Sequence, residues 1–106
     1  MNVENAKSQM RKGMLEYCIM LLLKESPCYS SDIIKKLKEA NLLVVEGTLY
    51  PLLSRLKNDG VLAYEWQEST QGPPRKYYVL SEEGKEILDS LDDAWREIEN
   101  AVNKLK

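Results

Sequence analysis

The side chains with chemistry to offer stand in two short stretches. In EGTLYPLLSRLKND, Glu46 to Asp59, the polar residues Thr48, Tyr50, Ser54 and Arg55 are interleaved with Leu49, Leu52, Leu53 and Leu56. In GPPRKYYVL, Gly72 to Leu80, Arg75 and Lys76 follow two prolines. Three hydroxyl donors, a planar guanidinium able to bind bidentately and a pair of cations suit the recognition of oxyanions or of hydrogen-bonding edges. They do not suit catalysis. The chain has no histidine, which removes the commonest general base, and it carries no glycine-rich phosphate loop. Cys18 and Cys28 have neither CxxC spacing nor a histidine partner, so they read as free or buried thiols and not as a metal site. An enzyme is not expected, nor a metal or other cofactor.

These stretches sit in a chain of 106 residues, enough for one domain with a modest core. With 43% apolar and 30% charged residues, and only 5 Gly and 4 Pro, the composition is that of an ordered domain. The longest apolar run, Cys18 to Leu23, is far short of the roughly 20 residues that cross a bilayer. No basic-then-apolar leader is visible at the start, so no membrane partner is expected and the expected location is the cytoplasm. The net charge of −2 hides an asymmetry: residues 1–80 carry 11 Lys and Arg against 9 Asp and Glu, net +2, whereas residues 81–106 carry 4 against 8, net −4. The overall acidity therefore does not exclude a polyanionic partner for the first part of the chain.

The elements that must position the polar residues follow from periodicity. Met10, Met14, Tyr17, Cys18, Leu21 and Leu22 recur at helical spacing, predicting a helix from about Ser8 to Glu25. Leu15, Ile19 and Leu23 form a second stripe, so this helix should touch both a core and a further partner. After the Ser26-Pro27 break, Ser30 or Ser31 can cap a second helix ending near Asn41, with Asp32 in its first turn. Ile33, Ile34 and Leu37 face inward there. Lys35, Lys36 and Lys38 are left outward, where solvation accounts for them, and Lys36 is also a candidate contact for an anion.

Thr48 is the expected N-cap of a third helix with Pro51 in its first turn, spanning roughly residues 46–59 and ended by Asn58-Asp59-Gly60. Leu49, Leu52, Leu53 and Leu56 make its buried stripe. Leu62, Tyr64 and Trp66 alternate with Ala63, Glu65 and Gln67 in a strand predicted over Val61–Ser69, which places Trp66 in the core. Arg75–Leu80 returns beside it after a Gly-Pro-Pro tip, and one of Tyr77 and Tyr78 should be buried. Ser81 can cap a last helix in which Gly84, Leu88, Leu91, Trp95, Ile98, Val102 and Leu105 are spaced as a heptad seam, the pattern of a homodimer.

Three helices, the third with a leucine face and a polar face, then a hairpin, is the plan of a winged helix-turn-helix: mainly α with a small β-hairpin. The winged domain would cover residues 1–80, its first helix joining the dimer interface, and a C-terminal dimerisation helix residues 81–106. In that plan the third helix enters the major groove of double-stranded DNA and the wing, residues 69–76, runs over the backbone. Thr48, Tyr50 and Ser54 then donate to phosphates or base edges, Arg55 binds bidentately, and Arg75 and Lys76 hold phosphates.

EGTLYPLLSRLKNDGVL followed by GPPRKYYVLSEEGKE resembles the PadR family of transcriptional regulators, in its short subgroup with a single C-terminal helix. The resemblance implies a homodimeric winged-helix DNA-binding protein, often a repressor. It carries DNA contacts onto Thr48, Tyr50, Arg55, Arg75 and Lys76, and onto Tyr29, which is followed here by Ser30-Ser31 where relatives often have glycine. Leu88, Leu91, Trp95, Ile98, Val102 and Leu105 would form the dimer seam with the first helix. Family members are commonly released from DNA by small aromatic or cationic hydrophobic compounds, and in multidrug-sensing members a tryptophan on the last helix stacks planar drugs. Trp95 looks similarly placed, with Met10, Met14 and Tyr17 to line a pore and Asp92 and Glu99 to attract a cation; an ordinary dimer-core tryptophan is the alternative. The other function considered is a winged-helix protein-interaction module, since residues 46–80 hold 4 basic and 4 acidic residues.

Overall fold

The computed structural model describes residues 1–106. In chain order the elements are α1 (Val3–Glu25), α2 (Ser30–Glu39), α3 (Glu46–Asn58), β1 (Leu62–Gln67), β2 (Arg75–Leu80) and α4 (Glu82–Leu105). The helices and the hairpin appear in the expected order, and the differences lie at their ends. Helix α1 starts at Val3, five residues before the expected Ser8, because the Asn2 side chain accepts the Asn5 N–H at 3.1 Å and caps it there. Neither Ser30 nor Thr48 is a cap. Tyr29 and Val45 precede α2 and α3 in extended conformation and offer no side-chain cap, so α3 begins at Glu46 and Pro51 is its sixth residue, not part of its first turn. Proline there removes one helical N–H and leaves the Gly47 carbonyl without its usual partner.

Helices α2 and α3 stop in the same way. Asn41 (φ 64°) and Gly60 (φ 81°) turn left-handed, and the next residue's N–H reaches back five residues: Leu42 to the Leu37 carbonyl at 2.8 Å, Val61 to that of Leu56 at 3.0 Å. These paired stops set the angle at which α3 leaves α2 and at which the hairpin leaves α3. The hairpin is antiparallel with Leu62 opposite Leu80, Tyr64 opposite Tyr78 and Trp66 opposite Lys76. Cys28 forms an isolated bridge to Tyr78 on the other side of β2, which ties the start of α2 to the hairpin.

The core is one cluster: Leu15, Ile19, Met20 and Leu23 from α1, Cys28, Ile33 and Leu37, then Leu49, Leu53 and Leu56 from α3, Val61, Leu62, Leu80 and Leu88. On α1 the stripe Leu15, Ile19, Leu23 is therefore the one that goes inside, while Met10 and Leu21 on the other stripe are exposed. Helix α4 is fastened at its base. The Ser81 hydroxyl accepts the Gly84 N–H at 2.9 Å and its proton faces the carbonyls of Gly60 and Val61 at 2.6 and 2.9 Å. A side chain at Gly84 would put its Cβ 2.2 Å from the Val61 carbonyl oxygen, so only glycine lets the helix approach this closely.

Two expectations are corrected here. Leu88, counted in the intermolecular seam, is 1% exposed inside the chain's own core; the part of the seam left uncovered begins beyond it. Trp66, expected in the core, is 67% exposed, because the hairpin outruns the helices that cover its base. From Trp95 to Leu105 every residue of α4 is exposed, including Trp95, Ile98, Val102 and Leu105. No helix is long and apolar enough to cross a membrane.

Candidate nucleic-acid interface

With Leu49, Leu53 and Leu56 inward, the residues one half-turn away are Gly47, Pro51, Ser54 and Asn58, all exposed, and they form the outward ridge of α3. Its flanks carry the larger side chains. Tyr50 and Lys57 lean toward the hairpin; Thr48 and Arg55 lean toward α1. Of this ridge only Ser54 is among the contacts predicted from the sequence; Asn58 belongs to the same polar face without being one of them, and the spacing of Gly47 and Pro51 against the leucines was available to identify them too.

The hairpin flank is a groove of about 450 Å³ lined by Tyr29, Tyr50, Arg75, Lys76, Tyr78 and the tip residues Ser69 and Gln71 to Pro74. It brings together four of the predicted contacts, Tyr50 from α3, Tyr29 from just before α2 and two from the wing. The cations on this side are held by aromatic rings. The Arg75 guanidinium lies over Tyr29 at 5.3 Å from the ring centroid, and the ammonium groups of Lys76 and Lys57 approach the Tyr64 ring at 4.1 and 5.1 Å. The rings are themselves braced, Tyr29 against Tyr77 (5.8 Å between centroids) and Tyr64 edge-on to Tyr78 (5.2 Å). None of the three cations has a carboxylate within ion-pair distance. Attraction to a ring quadrupole orders a cation and leaves its charge intact for an anion. Burial pushes the Tyr78 hydroxyl up to about 12, with the neighbouring Tyr64 phenol contributing, so this wall of the groove is neutral at any physiological pH.

The other flank is a cleft of about 680 Å³ between α1, the Leu42–Val45 link and α3, and it holds Thr48 and Arg55. Here the guanidinium is paired with a carboxylate, that of Glu16 on α1, with the two side chains 58% and 39% exposed. Arg55 is thus neutralised before any ligand arrives, a partner no local motif could have announced. Lys36 lines neither space; it is half-buried with its ammonium 3.5 Å from the Cys28 sulfur. Of the eight predicted contacts, four share the wing groove, two the α1 cleft, Ser54 stands on the ridge between them, and Lys36 stands apart.

The residues proposed to meet a small ligand lie at the opposite end. The Tyr17 hydroxyl donates to the Asp92 carboxylate at 2.5 Å, joining α1 to α4, and this hydrogen bond, with some burial, raises the Tyr17 hydroxyl to about 12. Trp95 is 37% exposed one turn further along, Met14 is half-buried, and Met10 and Glu99 are open. In the single chain these residues form an open face.

A model of the transcriptional regulator PadR-like family matches residues 19–90. Among solved structures, a PadR-like transcription factor from Bacteroides fragilis is 67% identical, with 96% of this chain and 99% of that one covered and a TM-score of 0.77. A PadR-like transcriptional regulator from Bacillus cereus is 34% identical over 92% of this chain and 96% of its own, TM-score 0.83. One from Eggerthella lenta, of the padR family, is 33% identical over 97% and 90%, TM-score 0.78.

Proposed function

This chain belongs to the PadR-like family of transcriptional regulators, and we propose that it works as a homodimer that binds operator DNA, most simply as a repressor. One observation carries the reading: Arg75, Lys76 and Lys57 stand beside the outward ridge of α3 on tyrosine rings, ordered yet not neutralised. Such cations meet phosphates on either side of a groove while Ser54, Asn58 and the open backbone at Gly47 meet base edges. Arg55 joins by exchanging Glu16 for phosphate. Helix α4 supplies the second half of the molecule. Its apolar line of Trp95, Ile98 and Val102 is exposed in the chain itself, with Leu91 half-buried at its start, and pairing of two copies along it presents two α3 helices to successive major grooves about 34 Å apart.

Small aromatic or cationic compounds then act at the same seam. Trp95, Met14 and the Tyr17–Asp92 pair put an aromatic plane and a carboxylate where two chains meet, so an occupant there alters the separation of the α3 helices. The test is a gel shift of the full-length protein on DNA from upstream of its own coding region. The expected result is a specific shift that weakens steeply with salt and is lost in the Arg75→Ala, Lys76→Ala double variant. Binding that ignores salt and both substitutions would sink the reading. For the ligand, titration with a planar cationic dye should quench tryptophan emission in the wild type and much less in Trp95→Ala; equal quenching in both rejects a role for Trp95.

A further inference from the structure

Trp66 has no role in the reading above, and its position is costly: an indole 67% exposed near the end of a strand, where a smaller polar residue would be soluble and equally extended. Its neighbours indicate what it waits for. By strand alternation Trp66 shares a side of the hairpin with Leu62 and Tyr64, and across the ladder with Lys76, Tyr78 and Leu80. That side faces α3: Lys57 of α3 reaches the Tyr64 ring, and Tyr50 of α3 lines the same groove as Lys76 and Tyr78. Glu65 alternates to the opposite side, where its carboxylate accepts from the Gln67 amide at 3.4 Å. The indole therefore stands at the outer end of a row that begins in the core and passes through Tyr64 with its two lysines.

We propose that Trp66 is a DNA-backbone contact: the indole lies against a deoxyribose at the edge of the groove that α3 enters, and its Nε1–H donates to the adjoining phosphate, which Lys76 also holds. This rests on the regulator reading. The chemistry is that of tryptophan wherever one end of a contact is apolar and the other wet. The sugar supplies an apolar surface, the phosphate an acceptor, and the cross-strand lysine the counter-charge. The contact reads no base, so it strengthens binding to every duplex alike and fixes the register of the wing.

The test uses the full-length protein and a labelled duplex selected by the wild type from a random-sequence pool. Trp66→Ala should weaken binding roughly tenfold, as expected for loss of one hydrogen bond to a charged group, by a similar factor on an unrelated duplex, with an unchanged melting temperature. Trp66→Phe should recover part of the loss. The emission change that DNA produces in the wild type should vanish in Trp66→Phe, which retains Trp95. Wild-type binding with Trp66→Ala within twofold of it overturns this inference alone. So does a change in sedimentation mass without a change in affinity, which assigns the indole to a contact between copies. A wild type that selects and binds no duplex overturns the regulator reading and this inference with it.

Discussion

The two flanks of α3 hold their cations by opposite means. On the wing side Arg75, Lys76 and Lys57 rest on tyrosine rings, and on the α1 side Arg55 is paired with the Glu16 carboxylate. Both arrangements order a long side chain, but a ring leaves the positive charge standing whereas a carboxylate cancels it. An anion arriving at the wing gains the full interaction; one arriving at Arg55 must first displace Glu16 and then tolerate its negative charge nearby. The lesson is that the count of basic residues near α3 overstates one flank and understates the other. The near-neutral total over residues 46–80 hides a flank that is strongly cationic.

That contrast can be broken most directly from the wing. Replacing Arg75 and Lys76 together by Ala should weaken operator binding roughly a hundredfold at moderate salt and lower the slope of log affinity against log salt by about 2, one for each lost phosphate contact. Equilibrium titrations at three salt concentrations measure both. Arg55→Ala should cost much less, roughly two- to fivefold, because the side chain gives up a carboxylate to gain a phosphate. If it costs as much as the wing pair, the two flanks are not different in kind.

The α1 side offers the reverse experiment. Glu16→Gln frees Arg55 and removes a negative charge, so DNA binding should tighten by about two- to fivefold, the scale of an exposed ion pair. In an Arg55→Ala background the same substitution should do little, and a double-mutant cycle isolates that coupling. The smallest effect concerns alkali. Tyr78 on the wing side and Tyr17 at the junction of α1 and α4 are both held at about 12 against an ordinary 10.0, the first chiefly by burial and the second chiefly by its hydrogen bond to Asp92. The folded state favours both neutral phenols, so this stability is fully present below pH 10 and is lost as pH rises from 10 toward 12. Chemical denaturation at pH 8 and pH 11 should show the loss, and Tyr78→Phe or Tyr17→Phe should each reduce it.

Much of this was open to reading along the chain. Helix order, the hairpin, the glycine stop at Gly60 and the Ser81 cap are local matters, decided by spacing and turn chemistry within a few residues, and they appear where expected. Even the errors at helix starts are local: Asn2 outcompeted Ser8 as a beginning for α1, and extended Val45 took the place of Thr48 before α3.

What only the tertiary structure decided is depth and distant partnership. Alternation told that Leu62, Tyr64 and Trp66 share a face, but not that the face runs out past the core before it reaches Trp66. Two apolar stripes on α1 were equally plain; that Leu15, Ile19 and Leu23 go inside depends on where α2 and the hairpin lie. The heptad spacing included Leu88 with Ile98, and the close approach allowed by Gly84 assigned the first to the core and left the second uncovered. Period reports direction around an axis and says nothing of how far the neighbouring elements extend. Charge pairing through space is likewise silent in the order of residues, which is why Arg55 could be recognised as a cation from the sequence, and only the packing of α1 beside α3 gave it Glu16.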